Sequence, residues 1–411
     1  MGTSGIESRY AWIRLAASVL LGTIGGVGMW SIVVAMPAVQ AEFAVDRGAA
    51  SLPYTAAMIG LMTGTVVIGR LSDRFGLMRP AMGAVVLLAS GYVATAFAPG
   101  ITSYAVLYGA LVGVGGAAMF APLIADVSLW FSGRRGLAIG LAAAGNYFAG
   151  TLWPPVLAHF IALAGWRATH IGVAAFCLVT MLPLLLVLHR RAPDQPAPPL
   201  AAAGQPVFGS RPLGLSPRLV QGLLLVAGVC CCVAMSMPQV HIVAYCVDLG
   251  FGPARGAEML SLMLGCGIVS RLASGWILDR IGGLSTLLLG SVLQAIALAC
   301  YLPFNGLASL YIVSALFGLM QGGIVPSYAF IIRELFPARE AGFRVSITIS
   351  ATMAGMALGG WLSGAIYDAT GSYQAAIING VAWNICNAAI AVWLLWRELR
   401  RQPQAGTAAA I

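Results

Sequence analysis

Lysine is absent from this sequence, and all 22 basic residues are arginine. Charge of either sign is scarce: only 9% of residues are charged, against about 25% in a soluble domain. Most of the molecular surface therefore cannot face water. The sequence also lacks His-Glu-x-x-His and the Walker phosphate loop, and no nucleophile is paired with a histidine. No polar region is long enough to fold as a soluble catalytic domain, so an enzyme is not expected. No two of the 4 histidines share metal-ligand spacing, and all 8 cysteines (Cys177, Cys230, Cys231, Cys232, Cys246, Cys266, Cys300 and Cys386) fall in apolar runs as small packing residues. No metal or cofactor is expected. The net charge of +9 does not signal nucleic acid, because the arginines sit in short loops between apolar runs.

What the chain has in abundance is hydrophobic length. Of its 411 residues 60% are hydrophobic, and apolar runs near 20 residues recur throughout. Each run is long enough to cross about 30 Å of hydrocarbon as a helix. The expected fold is an all-α membrane protein with twelve spans: 14–38, 49–69, 79–98, 103–130, 136–160, 168–188, 218–247, 256–278, 284–303, 307–332, 342–367 and 373–397. Arg9 and Arg14 precede a first span that is read as a spanning helix, not a cleaved signal, since further spans follow at once. Residues 189–217 are rich in Pro, Ala and Gly without helical periodicity, and are read as a linker. The domains are then a six-helix bundle over 1–188, the linker 189–217, a second bundle over 218–400, and a tail over 401–411.

Arginine placement orients the chain. With a cytoplasmic N-terminus, Arg47, Arg167 and Arg255 are the only loop arginines outside. Both termini and the linker are therefore expected on the cytoplasmic side. Abundant Ala and Gly, with arginine in place of lysine, suggest a GC-rich bacterial source and hence a bacterial inner membrane.

The two halves repeat. Gly69, Asp73, Arg74 and Gly76 recur 206 positions later as Gly275, Asp279, Arg280 and Gly282, and Gly165 recurs as Gly371. A parallel repeat of six spans is the plan of a transporter with its site near the bilayer midplane. The glycines permit close helix approach and sharp reversal. The aspartate can cap the following helix or pair with an arginine of the other bundle, closing the inner face. An ordinary charged turn that only sets topology is the bland alternative. The first copy, Gly69-Arg-Leu-Ser-Asp73-Arg74-Phe-Gly76-Leu-Met-Arg79, matches a signature of the major facilitator superfamily, which the chain resembles over essentially its full length. That resemblance implies two six-helix bundles rocking about a central cavity.

Inside the membrane the first candidate is Arg271. It lies eight residues before Asp279, roughly 12 Å inside the helix end. An arginine there is expensive, and its planar fork suits a substrate carboxylate. A structural ion pair is the alternative. The position resembles that of the helix 8 arginine in monocarboxylate transporters. The segment Pro238-Gln-Val-His241-Ile-Val-Ala-Tyr-Cys-Val-Asp248-Leu-Gly250 resembles bacterial members of that group and the oxalate/formate antiporter. The resemblance implies that Arg271 holds the substrate carboxylate. Two features depart from it. The animal transporters carry an aspartate where this chain has Gly267, and a lysine where Ala38 follows Pro37. Their proton path therefore does not transfer intact.

The missing acid directs attention to Asp126 in helix 4, a candidate proton carrier or else a partner for a cytoplasmic arginine of the inner gate. His241 can donate to a carboxylate or relay a proton, although a lone histidine is more often a packing residue. His159, His170 and His189 lie near helix ends and read as interfacial. In helix 5, Asn146 and Tyr147 are polar groups at depth, Gly145 and Gly150 allow close packing, and Pro154-Pro155 should bend or end the helix. Helices 1, 4, 7 and 10 line the cavity in the superfamily, which makes Trp30, Met119, Gln321 and Tyr328 candidate lining residues. Core packing is the alternative for each. Asn384 and Asn387 lie in helix 12, which is usually peripheral.

The expected function is secondary transport of a small organic anion, a monocarboxylate first, by proton symport with alternating access in a monomer. Anion exchange of the oxalate/formate type needs no titrating acid and is the alternative. Drug efflux usually needs a membrane acid facing the cavity, and the central charge here is basic. A sensor that binds ligand without moving it is the last possibility.

Overall fold

The computed structural model describes residues 7–131, 134–190 and 212–407. Among these the chain is helical, without strands. The first crossing is α1 (Arg9–Gly25) with α2 (Val27–Phe43), joined at Gly26. The second and third are α3 (Arg47–Phe75) and α4 (Met78–Ala96). The fourth is a composite: α5 (Ile101–Leu107), a π-helical turn at Tyr108–Gly113, α6 (Val114–Gly116), a 3-10 turn at Ala117–Met119, and α7 (Ala121–Ser128). Next comes α8 (Arg135–Leu186), whose 52 residues would span about 78 Å if straight, far more than one bilayer. It breaks at Gly165 (φ 78°, ψ 164°) and so supplies the fifth and sixth crossings.

The remaining six crossings are α9 (Pro217–Asp248), α10 (Pro253–Ile281), α11 (Gly283–Ala299), the pair α12 (Leu307–Gln321) and α13 (Ile324–Leu335), α14 (Ala338–Thr370) and α15 (Tyr373–Thr407). The twelve expected spans are all present. The linker expectation falls mostly on residues 191–211, outside the described residues, as are the last four residues of the tail.

Local chemistry sets the ends. Ser8 and Ser216 cap α1 and α9, their side chains accepting from the Ala11 and Leu219 amides at 3.3 Å. Proline stands at the start of α9 and α10, where no amide donor is lost. The repeated turn is reproduced in the backbone: Gly76 (φ 78°, ψ 161°) and Gly282 (φ 79°, ψ 170°) take the same conformation, one that a side chain would strain. The expected capping role is not found for Asp279, and the Asp73 side chain lies outside the described set. Asp73 and Asp279 lie in the last turns of α3 and α10, and the following helices have no side-chain cap. The paired prolines Pro154 and Pro155 also fail to end their helix, which continues to the break at Gly165.

Burial follows from position in the bundle. The segment Cys230–Ala244 of α9 is buried on every side, as a central helix requires. Elsewhere large apolar side chains point outward, including Phe97 at 72%, Leu163 at 70% and Val179 at 73% exposed. A belt of that kind is stable only against lipid. The cysteines are free, and five of them are buried.

Candidate functional site

Between the first six crossings and the last six lies a cavity of ≈ 180 Å³. Its walls come from α1, α2, α3, the fourth crossing and α8 on one side, and from α9, α10, α13 and α14 on the other. Three irregularities in the helices meet at this level. The first crossing is interrupted at Gly26, and the fourth at Phe120 (φ −129°, ψ −86°). The tenth is interrupted at Gly322–Gly323, where the Gly322 amide donates to Ser270 Oγ at 3.1 Å. Irregular backbone at membrane depth is tolerated where it is buried in protein or lines a cavity.

Arg271, the next residue after Ser270, is the only charged side chain on the cavity wall among the described residues. Among the described residues it makes no ion pair, and its Nε is buried without a hydrogen-bond partner. Its guanidinium carbon sits 4.7 Å from the centre of the Tyr147 ring, a cation–π contact. Gly267 explains the geometry. A Cβ there would come within 2.6 Å of Tyr147 Cε1, so a side chain at this position and the Tyr147 ring exclude each other. The ring stands where an acid one turn before Arg271 would otherwise stand.

Five sequence candidates line this cavity: Arg271, Tyr147, Asn146, Trp30 and Met119. The indole Nε1 of Trp30 is a buried donor without a partner. Gln321 stands one layer back, where its Oε1 accepts from Gln239 Nε2 at 2.8 Å, and Gln239 is the residue that reaches the wall. Tyr328 is buried in the second half, and its hydroxyl donates to Asn387 Oδ1 at 3.0 Å. Asn387 and Asn384 in turn donate to Ser291, so these residues join α11, α13 and α15 and do not meet a ligand. Tyr328 and Gln321 are thus removed from the cavity-lining set.

His241 is removed as well. It is fully buried, with Nδ1 3.0 Å from the Tyr373 hydroxyl and Nε2 2.7 Å from the Gly360 carbonyl, so both ring nitrogens are occupied. Its neighbours form a cluster that closes one face of the molecule. Arg47, at the start of α3, contacts Asp248 at 3.0 Å and Tyr373 at 2.9 Å. It also lies 4.7 Å from the Tyr367 ring centre. The Arg47 and Gly48 amides donate to the two oxygens of Asp368 at 2.8 and 2.6 Å, a carboxylate seated on a helix N-terminus. Further inward, Thr55 donates to the Ala357 carbonyl and Ser261 to the Thr151 carbonyl. All of these bonds join the two halves, and they lie on the Arg47 side of the cavity or beside it.

The opposite face carries the repeated turns. There Arg74, Arg79, Asp279 and Arg280 are exposed. Arg74 rests on the Phe75 ring and Arg280 on the Trp276 ring. Among the described residues none of these four makes an ion pair, and the Asp73 side chain lies outside the described set. The cross-bundle pairing expected of the repeated turn Gly69–Gly76 and its copy Gly275–Gly282 is not made by Arg74, Arg79, Asp279 or Arg280 among the described residues. Among the described residues the halves are pinned at the Arg47 face and not at the motif face.

Asp126 is held by Arg14 through a two-point fork, with Nε–Oδ2 at 2.6 Å and Nη2–Oδ1 at 2.7 Å. Arg14 is buried, donates also to Tyr10 and to the Arg190 carbonyl, and lies over the Trp130 ring. Both partners belong to the first half, and neither lines the cavity. The proton-carrier reading of Asp126 therefore gives way to an ion pair that fastens α1 to α7. It crosses no interface between halves, so it is not a gate either. His170, expected at an interface, is buried among Tyr92, Tyr104, Tyr108 and Trp166 and hydrogen-bonds Tyr104.

Sequence reasoning missed Gln239, Ser270 and the Arg47 cluster, and it offered Asp126 a cytoplasmic arginine without naming Arg14. Gln239, beside the mid-helix Pro238, was the most legible of these. Arg47 counted only as a loop charge, because nothing local announces a partner more than 200 positions away.

Comparison with known proteins places these features. The Major Facilitator Superfamily family model matches residues 19–309 and 259–410. Monocarboxylate transporter 13 from Bos taurus is 29% identical over 336 residues, covering 80% of this chain and 76% of the relative. Monocarboxylate transporter 11 from Mus musculus is 28% identical over 403 residues, 90% of this chain and 84% of the relative. The MFS transporter asaE from Aspergillus flavus is 24% identical over 325 residues, 77% and 70% respectively.

Proposed function

The chain belongs to the Major Facilitator Superfamily, and on that premise we propose that it is a carrier of small monocarboxylates that works by anion exchange. Arg271 clamps the substrate carboxylate. The observation that carries this reading is the solitary state of Arg271: it is the one charged side chain on the wall of a cavity shared by both halves, and it lacks an acid partner. The names of the monocarboxylate transporter relatives agree with it.

Exchange follows from electrostatics. Closing the cavity around an empty Arg271 buries an uncompensated guanidinium, at a cost of several kcal/mol. A bound carboxylate neutralises that charge with a two-point, charge-assisted contact. The loaded carrier then reorients readily and the empty one does not, which is the condition for exchange. Proton symport needs a titrating acid close to the substrate. No carboxylate lines the cavity, and Asp126 is engaged by Arg14 elsewhere.

Alternating access would proceed by rocking the bundle of residues 1–188 against that of 218–400. The Arg47 cluster holds one face shut. The repeated turns, with Arg74, Arg79 and Arg280 free to find partners, engage when the other face closes. The positive-inside rule puts the motif face and both termini in the cytoplasm. The conformation described here is then inward-facing.

The test is uptake of labelled monocarboxylates into liposomes carrying the purified protein. Preloading with an unlabelled monocarboxylate should stimulate uptake strongly, whereas an imposed pH gradient across empty liposomes should not. Arg271→Gln should abolish uptake. Normal transport by that variant would sink the clamp, and uptake driven by the pH gradient alone would sink exchange.

A further inference from the structure

The chain has 16 methionines, and six of them line the one cavity that holds Arg271: Met29, Met58, Met119, Met235, Met353 and Met356. Three come from the first half and three from the second. The wall is therefore thioether on both sides of the plane along which the halves part. Around these side chains the wall is apolar or bare, with glycine backbone at positions such as Gly25, against which the Met119 side chain is packed. The polar groups other than Arg271 are few: Asn146, the Tyr147 hydroxyl, Gln239, Thr352 and the unpartnered Trp30 indole.

Such a wall is matched to a particular kind of ligand. Methionine is unbranched and polarisable, fills irregular gaps, and recurs on surfaces that accept apolar groups of varied shape. A carboxylate dense in hydroxyl or keto oxygens would leave those oxygens facing thioethers, and unsatisfied polar groups are costly in such surroundings. A carboxylate with a hydrocarbon or aromatic body leaves nothing unpaired. Its head meets Arg271 and its body displaces water from the methionines. Sulfur also makes favourable contacts with ring edges.

We propose that the substrates of this cavity are apolar-bodied monocarboxylates, branched aliphatic or arylalkyl acids, which the methionine wall selects over short or hydroxylated ones. The proposal rests on the carboxylate clamp at Arg271 and adds the class of molecule behind the carboxylate. Since both halves contribute, the body stays in contact with methionine on either side while the halves rock, and selectivity is tolerant of shape.

The experiment is a KM series in proteoliposomes under exchange conditions, with acetate, lactate, 4-methylvalerate and phenylacetate. Native protein is compared with Met235→Ser/Met356→Ser, with Met235→Leu/Met356→Leu and with Arg271→Gln. In the native protein KM for 4-methylvalerate and phenylacetate should be at least roughly tenfold below that for acetate and lactate, as burial of several methylene equivalents predicts. The serine pair should collapse that ratio towards one, and the leucine pair should keep the affinity while narrowing the range of bodies accepted. An equal or lower KM for acetate or lactate overturns the proposal, as does a ratio that survives the serine pair. Loss of all carboxylate uptake in Arg271→Gln while lactate remains the better native substrate would reject the methionine wall and leave the clamp standing. Uptake indifferent to Arg271→Gln would reject both.

Discussion

Two arginines inside the fold, Arg47 buried and Arg271 half-buried, are built in opposite ways. Arg47 is engaged by the other half: Asp248, Tyr373 and the Tyr367 ring surround its guanidinium, its own amide and that of Gly48 hold Asp368, and its Nε is buried without a hydrogen-bond partner. Among the described residues Arg271 has only the face of Tyr147. An arginine whose side-chain partners among the described residues all belong to the other half is a fastener between bundles. An arginine left with an empty fork is the group we propose as the receptor, its missing partner coming from outside. The same side chain performs both tasks, and its surroundings decide which.

The largest break in that comparison is Arg271→Gln. Carboxylate exchange should fall on the order of 100-fold or more, as expected for one partner of a desolvated charge pair. The thermal unfolding midpoint should hardly move, because among the described residues Arg271 loses only its cation–π contact with Tyr147 and no ion pair is broken. Next is Arg47→Ala, which leaves Asp248 unpaired. The Arg47 face should loosen by about 1–3 kcal/mol, read as a roughly tenfold rise in labelling of a Thr55→Cys thiol by a membrane-impermeant reagent.

Gly267→Asp makes Arg271 resemble Arg47. The new side chain must displace the Tyr147 ring and would pair with the guanidinium. Substrate KM should rise several-fold, and uptake should increase as pH falls, since protonating the introduced acid frees the arginine. A pH-independent variant would mean that Tyr147 holds its place. Smaller still is Asp126→Asn. Exchange should persist while the unfolding midpoint drops by a few degrees, since a buried hydrogen-bonded ion pair is lost but no binding group is. Loss of exchange without loss of stability would restore Asp126 as a proton carrier. The smallest effect belongs to Tyr328→Phe, about 1 kcal/mol of stability from one buried hydrogen bond and no change in KM.

Much of the architecture was legible in the sequence, because apolar length and charged turns are local signals. A run that crosses hydrocarbon must be near 20 residues long whatever it packs against. The 206-residue repeat exposed two matched reversals, and Gly76 and Gly282 do share one backbone conformation. The candidate site was legible where membrane depth alone was informative. Arg271, Asn146, Tyr147, Trp30 and Met119 reach the cavity, and each lies well inside a span. The reading was wrong where the rotational position of a side chain on its helix mattered. Tyr328, Gln321 and His241 sit at suitable depths but point into the second half, where they bond Asn387, Gln239 and Tyr373. Periodicity cannot tell which face of an apolar helix meets the cavity when every face is apolar.

The sequence by itself determined that this is a twelve-span membrane protein, that its halves repeat, and that a lone arginine sits at depth, because hydrophobic length, repeat spacing and the cost of a buried charge are properties of the chain. The tertiary structure alone decided which charges are already answered. Arg14 finds Asp126 across 112 positions and Arg47 finds Asp248 across 201, while Arg271 finds only a ring made possible by Gly267. Pairing depends on which helix faces meet, and that is set by the packing of the whole bundle.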